Sequence, residues 1–141
     1  MFKTPLLAVD LNDAKGMTRC AEAAANMARS EGVALHVLNV VPDSGMAIVG
    51  VMLEPDHFEK IHQSVKSELE KWAKASIASD IEVKLHIARG TIYDQIIKTA
   101  NDIGSDAIFV GANRPELKDY LIGPNSARVA RHAHQSVFVI R

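Results

Sequence analysis

Residues 81–111 read IEVKLHIARGTIYDQIIKTANDIGSDAIFVG, and the spacing of their apolar positions changes twice. Over 81–88, Ile81, Val83, Leu85 and Ile87 alternate with Glu82, Lys84 and His86, the period of two that lines one face of a strand. From Ile92 the period lengthens. Ile92, Ile96, Ala100 and Ile103 recur at helical steps, and Gly104 is placed to end that helix. The run DAIFVG, residues 106–111, then reads as a strand covered on both faces. Strand, helix and strand in one stretch make a unit whose two strands run parallel, joined by a right-handed crossover. The single polar face of 81–88 places that strand toward a sheet edge.

The segments on either side obey the same grammar. LLAVD (6–10) and VALHVLNVV (33–41) are nearly continuous apolar runs, which suits central strands. Between them Met17, Ala21, Ala24 and Ala28 recur at helical spacing, small enough to pack close to a sheet, and Gly32 is positioned to stop the helix. Phe58, Ile61, Val65, Leu69, Trp72 and Ser76 form one stripe, with Glu59, Lys60, Lys66, Glu70 and Lys71 on other faces. This predicts a long amphipathic helix with Trp72 in the core. A last helix from about Asn125 to His134 leads into VFVI, residues 137–140. The expectation is an α/β, Rossmann-like, doubly wound single domain over residues 1–141. Its five-stranded parallel sheet has the order 3-2-1-4-5 and carries four helices. In that order the winding reverses between the first and fourth strands, so a ligand crevice opens at their C-terminal ends, Asp10 and Gly111.

Composition narrows the function. At 141 residues and 48% hydrophobic content the chain suits one globular core, and no repeat, low-complexity tract or linker interrupts it. Sixteen basic against seventeen acidic residues give a net charge of -1, which leaves no broad cationic surface for nucleic acid. The opening MFKTPLLAVD has neither the charge pattern nor the apolar length of a signal peptide or membrane span, so the expectation is a cytoplasmic protein that avoids membranes. The lone cysteine, Cys20, sits in an Ala-rich helical setting and reads as a small core residue.

At the expected crevice, Asp10 ends a buried strand where a carboxylate has no packing reason to be. It reads either as an acceptor for a ribose or base donor, or a metal ligand, or as a cap for the turn that follows. Gly111 lets the chain turn sharply out of the fourth strand. Gly123-Pro124-Asn125-Ser126 precedes the last helix, whose unpaired amides and dipole favour an anion, with side-chain donors available from Asn125 and Ser126. The alternative is that Gly123 or Asn125 simply caps the helix.

The whole chain resembles the universal stress protein family. AVD at the first strand, LNVVP at the second, ARGTIYDQI, SDAIFVGANRP and the final LIGPNSARVARHAHQSVFVIR carry the likeness. The resemblance implies the doubly wound fold, a dimer, and ATP held by a Gly-x2-Gly-x9-Gly-Ser/Thr loop. By position, Ala8, Val9 and Asp10 match the segment that meets adenine and ribose, and Val40 matches a backbone contact to adenine. Val110 and Gly111 match the start of the loop, and Gly123 matches its third glycine. Arg114 stands where the second glycine would be, the spacing to Gly123 is one residue shorter, and Pro124 replaces the hydroxyl residue. The segment with Asn113, Arg114 and Pro115 resembles a branch of the family that writes a small residue, Asn or His, then Arg-Pro, and later Gly-Ser/Pro-Asn. That branch also implies ATP. Pro124 suits the first helical position, where its missing donor would have no partner anyway. Arg114 reads either as a guanidinium replacing the close approach of glycine to phosphate, or as a turn residue before Pro115.

The functional expectation is an ATP-binding stress-response regulator, with Mg2+ accompanying the nucleotide, acting as a homodimeric switch toward an unidentified protein partner. SVFVIR ends the chain on an apolar edge strand, which is expected to pair with its two-fold mate. The alternatives are a slow ATP hydrolase using Asp10 and a metal, and a dimeric adaptor without nucleotide. No Walker lysine, nucleophile elbow or paired carboxylates support efficient catalysis. The pairs His57 and His62, and His132 and His134, lack the partners of a zinc site, and the second pair suits a helix C-terminus. Residues 42–54 read as a lid, a partner surface or a loop. Tyr93, Asp94 and Tyr120 read as surface or boundary residues.

Overall fold

The computed structural model of the chain describes residues 1–42, 56–112 and 123–141. Strand β1 (Pro5–Ala8) leads through a short 3-10 helix (Leu11–Asp13) to α1 (Thr18–Glu31) and β2 (Leu35–Val41). Helix α2 (Asp56–Ser76), β3 (Val83–Arg89), α3 (Ile92–Asp102), β4 (Ala107–Gly111), α4 (Pro124–His132) and β5 (Ser136–Ile140) follow. The five strands are hydrogen-bonded in the order β3-β2-β1-β4-β5, and every pairing is parallel. This is the doubly wound arrangement expected from the alternating periods.

Each face of the sheet buries its own core. On one, Leu7, Leu35, Val37 and Phe109 meet Ala21, Ala24 and Ala28 of α1, Leu69 and Ala73 of α2, and Ile77 just beyond α2. On the other, Leu6, Leu38, Ile108 and Val110 meet Ile96 and Ala100 of α3 and Val129 of α4. The three alanines of α1 are essentially inaccessible, so the helix packs directly on the strands and any larger side chain there would push it away. Gly32 and Gly104 end their helices at φ 67° and 68° with open space where a Cβ would stand. Backbone conformation, not crowding, requires glycine at both positions.

Four local expectations need correction. The α2 stripe runs inward through Leu69 and Ala73 and is continued by Ile77 just past the helix end, while Ser76 faces solvent and Trp72 is only half-buried against the core. Strand β1 ends at Ala8, and Asp10 belongs to the turn beyond it. Helix α4 spans Pro124–His132 and ends where Ala133 turns extended, so His132 lies in its last turn and His134 does not. His86, on the supposedly wet face of β3, is half-buried because its Nε2 lies 2.8 Å from Nδ1 of His36 on β2.

Candidate functional site

Where the winding reverses, the C-terminal ends of β1 and β4 diverge and leave a cavity of about 640 Å³. That is within the range of small-molecule sites, roughly 300–1,000 Å³. Its floor is held by backbone. Beyond the end of β1, the Val9 amide still donates to the Leu38 carbonyl at 2.8 Å, and the Asn39 side-chain amide donates to the Val9 carbonyl at 2.9 Å. Asn39 is buried, so this bond satisfies a polar group that burial would otherwise penalise, and it fixes the direction in which the chain leaves the sheet.

The next wall is the turn after β1. Asp10 caps the 3-10 helix by accepting from the Asn12 amide at 3.0 Å, and Asp13 accepts from the Gly16 amide at 3.1 Å. A Cβ at residue 16 would lie 2.1 Å from the Asp13 carboxylate, so a side chain there would have to push that carboxylate off its bond to the Gly16 amide. Of the two readings of Asp10, capping is therefore its role within the fold. Its exposed side chain nonetheless lines the cavity, with a second carboxylate oxygen beyond the one bound to Asn12.

The opposite wall is the start of α4. Gly123 is its N-cap in an extended conformation, Pro124 occupies the first turn, and among the described residues no side chain caps the helix. The first intrahelical donor is Ala127, which reaches the Gly123 carbonyl at 3.0 Å. The amides of Asn125 and Ser126 belong to the first turn, where the helix itself offers no acceptor, and both residues line the cavity. Ser126 is buried, and its hydroxyl donates to the Gly111 carbonyl at 2.6 Å, so its hydrogen is directed at the strand end and not into the cavity.

Ala8, Val9, Asp10, Val40, Val110, Gly111, Gly123, Asn125 and Ser126, taken from four separate segments of sequence, line this one cavity. Pro124 stands in the first turn of α4 and is exposed, outside the lining. Asn113, Arg114 and Tyr120, and residues 43–54 of the connection after β2, lie outside the described residues. Sequence reasoning missed Asn39, Asp13, Glu68 and Ile92, all in the lining. Asn39 had a signal, being the one amide in a strand run that is apolar apart from it and His36; Glu68 had none, since it looks like any solvated position on α2. The ionisable groups in the described lining are Asp10, Asp13 and Glu68, with no Lys, Arg or His.

Burial pushes the Cys20 thiol up to about 12, which keeps it protonated and inert at neutral pH. Among the described residues no three His, Cys, Asp or Glu side chains assemble to hold a metal ion, and no helix is long and apolar enough to cross a membrane.

Comparison with known proteins agrees with this architecture. The model of the universal stress protein family matches residues 1–141. Universal stress protein G of Escherichia coli O157:H7 is 25% identical over 143 residues, covering all of both chains. The structure of universal stress protein UspA from Lactobacillus plantarum superposes with a TM-score of 0.72 at 23% identity, over 100% of this chain and 99% of that one. The universal stress protein from Archaeoglobus fulgidus, solved in complex with dAMP, gives 0.65 at 19% identity, over 99% and 98%. These two likenesses speak to the fold; the family match over the full length makes this chain a member of the universal stress protein family.

Proposed function

We propose that the chain is an ATP-binding regulatory protein that works as a dimeric switch. The observation that carries this reading is that the first turn of α4, uncapped among the described residues, and the Asp10 turn face the same cavity across the reversal point of the sheet. A helix start with free amides stabilises an anion, which suits the phosphates at Asn125 and Ser126. The free carboxylate oxygen of Asp10 suits a ribose hydroxyl, and the backbone of Val40 suits an adenine edge. Residues Ala8, Val9, Val110, Gly111 and Gly123 complete the enclosure. The dAMP complex of the Archaeoglobus relative lends support to an adenine nucleotide as the ligand class. Three carboxylates without a facing cation in the described lining favour a triphosphate that arrives with Mg2+ neutralising part of its charge.

The switch follows from where the phosphate end lies. Gly111 in the cavity wall pairs with Ile140 of β5, and the Ala112 amide donates to the Ile140 carbonyl at 2.9 Å. Ligand-dependent shifts at the end of β4 therefore act directly on the edge strand. β5 carries half-exposed Val137, Phe138, Val139 and Ile140, and among the described residues its outer edge has no partner. A second copy is the natural occupant of that edge.

The test is to denature the purified protein, identify any released nucleotide, and follow added ATP with Mg2+ over hours. Retained, uncleaved ATP supports the proposal. ADP accumulating in proportion to protein would make the chain a slow hydrolase, and absence of binding would make it an adaptor without nucleotide.

A further inference from the structure

The cavity is chemically lopsided. Sheet order sets β4 and α4 on one side of the Asp10 turn, and β2 with α2 on the other, where α2 packs against the 3-10 helix. Among the described residues the α4 side presents Gly111, Gly123 and Asn125 and no acid; the α2 side presents Val65 and Glu68. The two aspartates of the intervening turn already accept backbone amides, from Asn12 and Gly16. Glu68 differs. One helical turn after Val65 on the same face of α2, it lines the cavity, it is exposed, and among the described residues its carboxylate has no hydrogen-bond or ion-pair partner.

We infer that Glu68 is a specificity residue that accepts from the ribose edge of a nucleotide and rejects nucleotides phosphorylated at the 2′ or 3′ position. The inference rests on the nucleotide reading above. With the 5′-phosphate and its Mg2+ at the α4 amides and the ribose over the Asp10 turn, the 2′,3′ edge of the sugar is the part that reaches toward α2, where Glu68 takes an uncharged donor. An ionised carboxylate is an acceptor only, so a free hydroxyl satisfies it. A second phosphate there would bring two like charges together beside Asp10 and Asp13, with no Lys, Arg or His in the described lining to separate them. The site therefore takes adenine nucleotides with a free 2′,3′ edge and excludes the bisphosphates.

Calorimetric titration of the full chain with 5′-AMP, adenosine 2′,5′-bisphosphate and adenosine 3′,5′-bisphosphate tests this, alongside Glu68→Gln. The substitution lies on an exposed position of α2, keeps side-chain shape, removes the charge and leaves one acceptor oxygen beside an amide donor. The wild type is expected to bind 5′-AMP at least about tenfold more tightly than either bisphosphate, and Glu68→Gln to narrow that gap to about threefold or less. Equal affinity of the wild type for all three ligands overturns the role of Glu68 while leaving nucleotide binding intact. A gap that persists unchanged in Glu68→Gln assigns the discrimination to another group and overturns it too. If the wild type binds none of the three and no ATP with Mg2+ either, the nucleotide reading itself fails; if it binds ATP alone, that reading stands and the role given to Glu68 falls.

Discussion

The hydroxyl of Ser126 donates to the carbonyl of Gly111 at 2.6 Å, joining the first turn of α4 to the end of β4. The two residues are 15 positions apart in the chain, and this bond fixes how the amides of that turn are presented to the cavity. Ser126→Ala leaves the Gly111 carbonyl without this donor. The loss is expected to lower unfolding free energy by about 1–3 kcal/mol, measured by urea denaturation. ATP affinity is expected to fall by less than about tenfold, because the backbone amide of residue 126 remains. Unchanged stability would show that the bond does not hold the two elements together.

The edge strand offers a second test. The Ile140 carbonyl accepts from Ala112 and so faces β4; alternation along a strand then turns the N–H and C=O of Val139 outward. Val139→Pro removes an outward donor and leaves the internal ladder in place. Light scattering at micromolar concentration is expected to find a wild-type dimer and a folded Val139→Pro monomer. A monomeric wild type would remove β5 as the dimer edge.

Acid should weaken the opposite edge. The centroids of the His36 and His86 rings are 5.0 Å apart with planes inclined by 18°, and their facing nitrogens are 2.8 Å apart. The rings therefore lie end to end, with one proton between two neutral imidazoles. Burial holds both below the ordinary histidine value of 6.5; His86 and Lys84 add to this for His36, against an opposing effect of Glu82, and Lys84 does so for His86. A folded-state value below the unfolded one means that the stabilisation is complete above pH 6.5 and is lost as pH falls through the lower folded values. Denaturation at about pH 7.5 and about pH 5 should show a larger loss in the wild type than in a His36→Leu/His86→Leu variant. Equal losses would place the acid sensitivity elsewhere.

Much of this was legible before any coordinates. The alternation at 81–88 against the doubly apolar 6–10, 33–41 and 106–110 put the half-polar strand outside the three apolar ones, an arrangement that the order 3-2-1-4-5 satisfies. Asp10 and Gly111 followed from that order. Periodicity reports which side of an element is apolar, not what lies beside its polar side. That is why Glu68 and the His36–His86 pair were invisible: His86 aligns with Leu38 in the β2–β3 register, so it meets His36 diagonally, two positions along β2. Ser76 failed for a related reason, since the stripe could continue through Ile77 with equal regularity and only packing against β-strands chose between them. Ser126 was read as a donor to a ligand because its bond to Gly111 requires the fold that brings the two together.

Binding of ATP at the first turn of α4 is the central claim, and a charge placed there tests it most directly. Asn125 lines the cavity within that turn, and Asn125→Asp adds one carboxylate where phosphate would lie. An acid in a first turn favours the helix, so the variant should be at least as stable as the wild type. Calorimetric titration with ATP and Mg2+ is expected to give saturable binding of one nucleotide per wild-type chain, weakened by about tenfold or more in Asn125→Asp. Absence of saturable binding by the wild type, or equal affinity in the two proteins, would contradict the account.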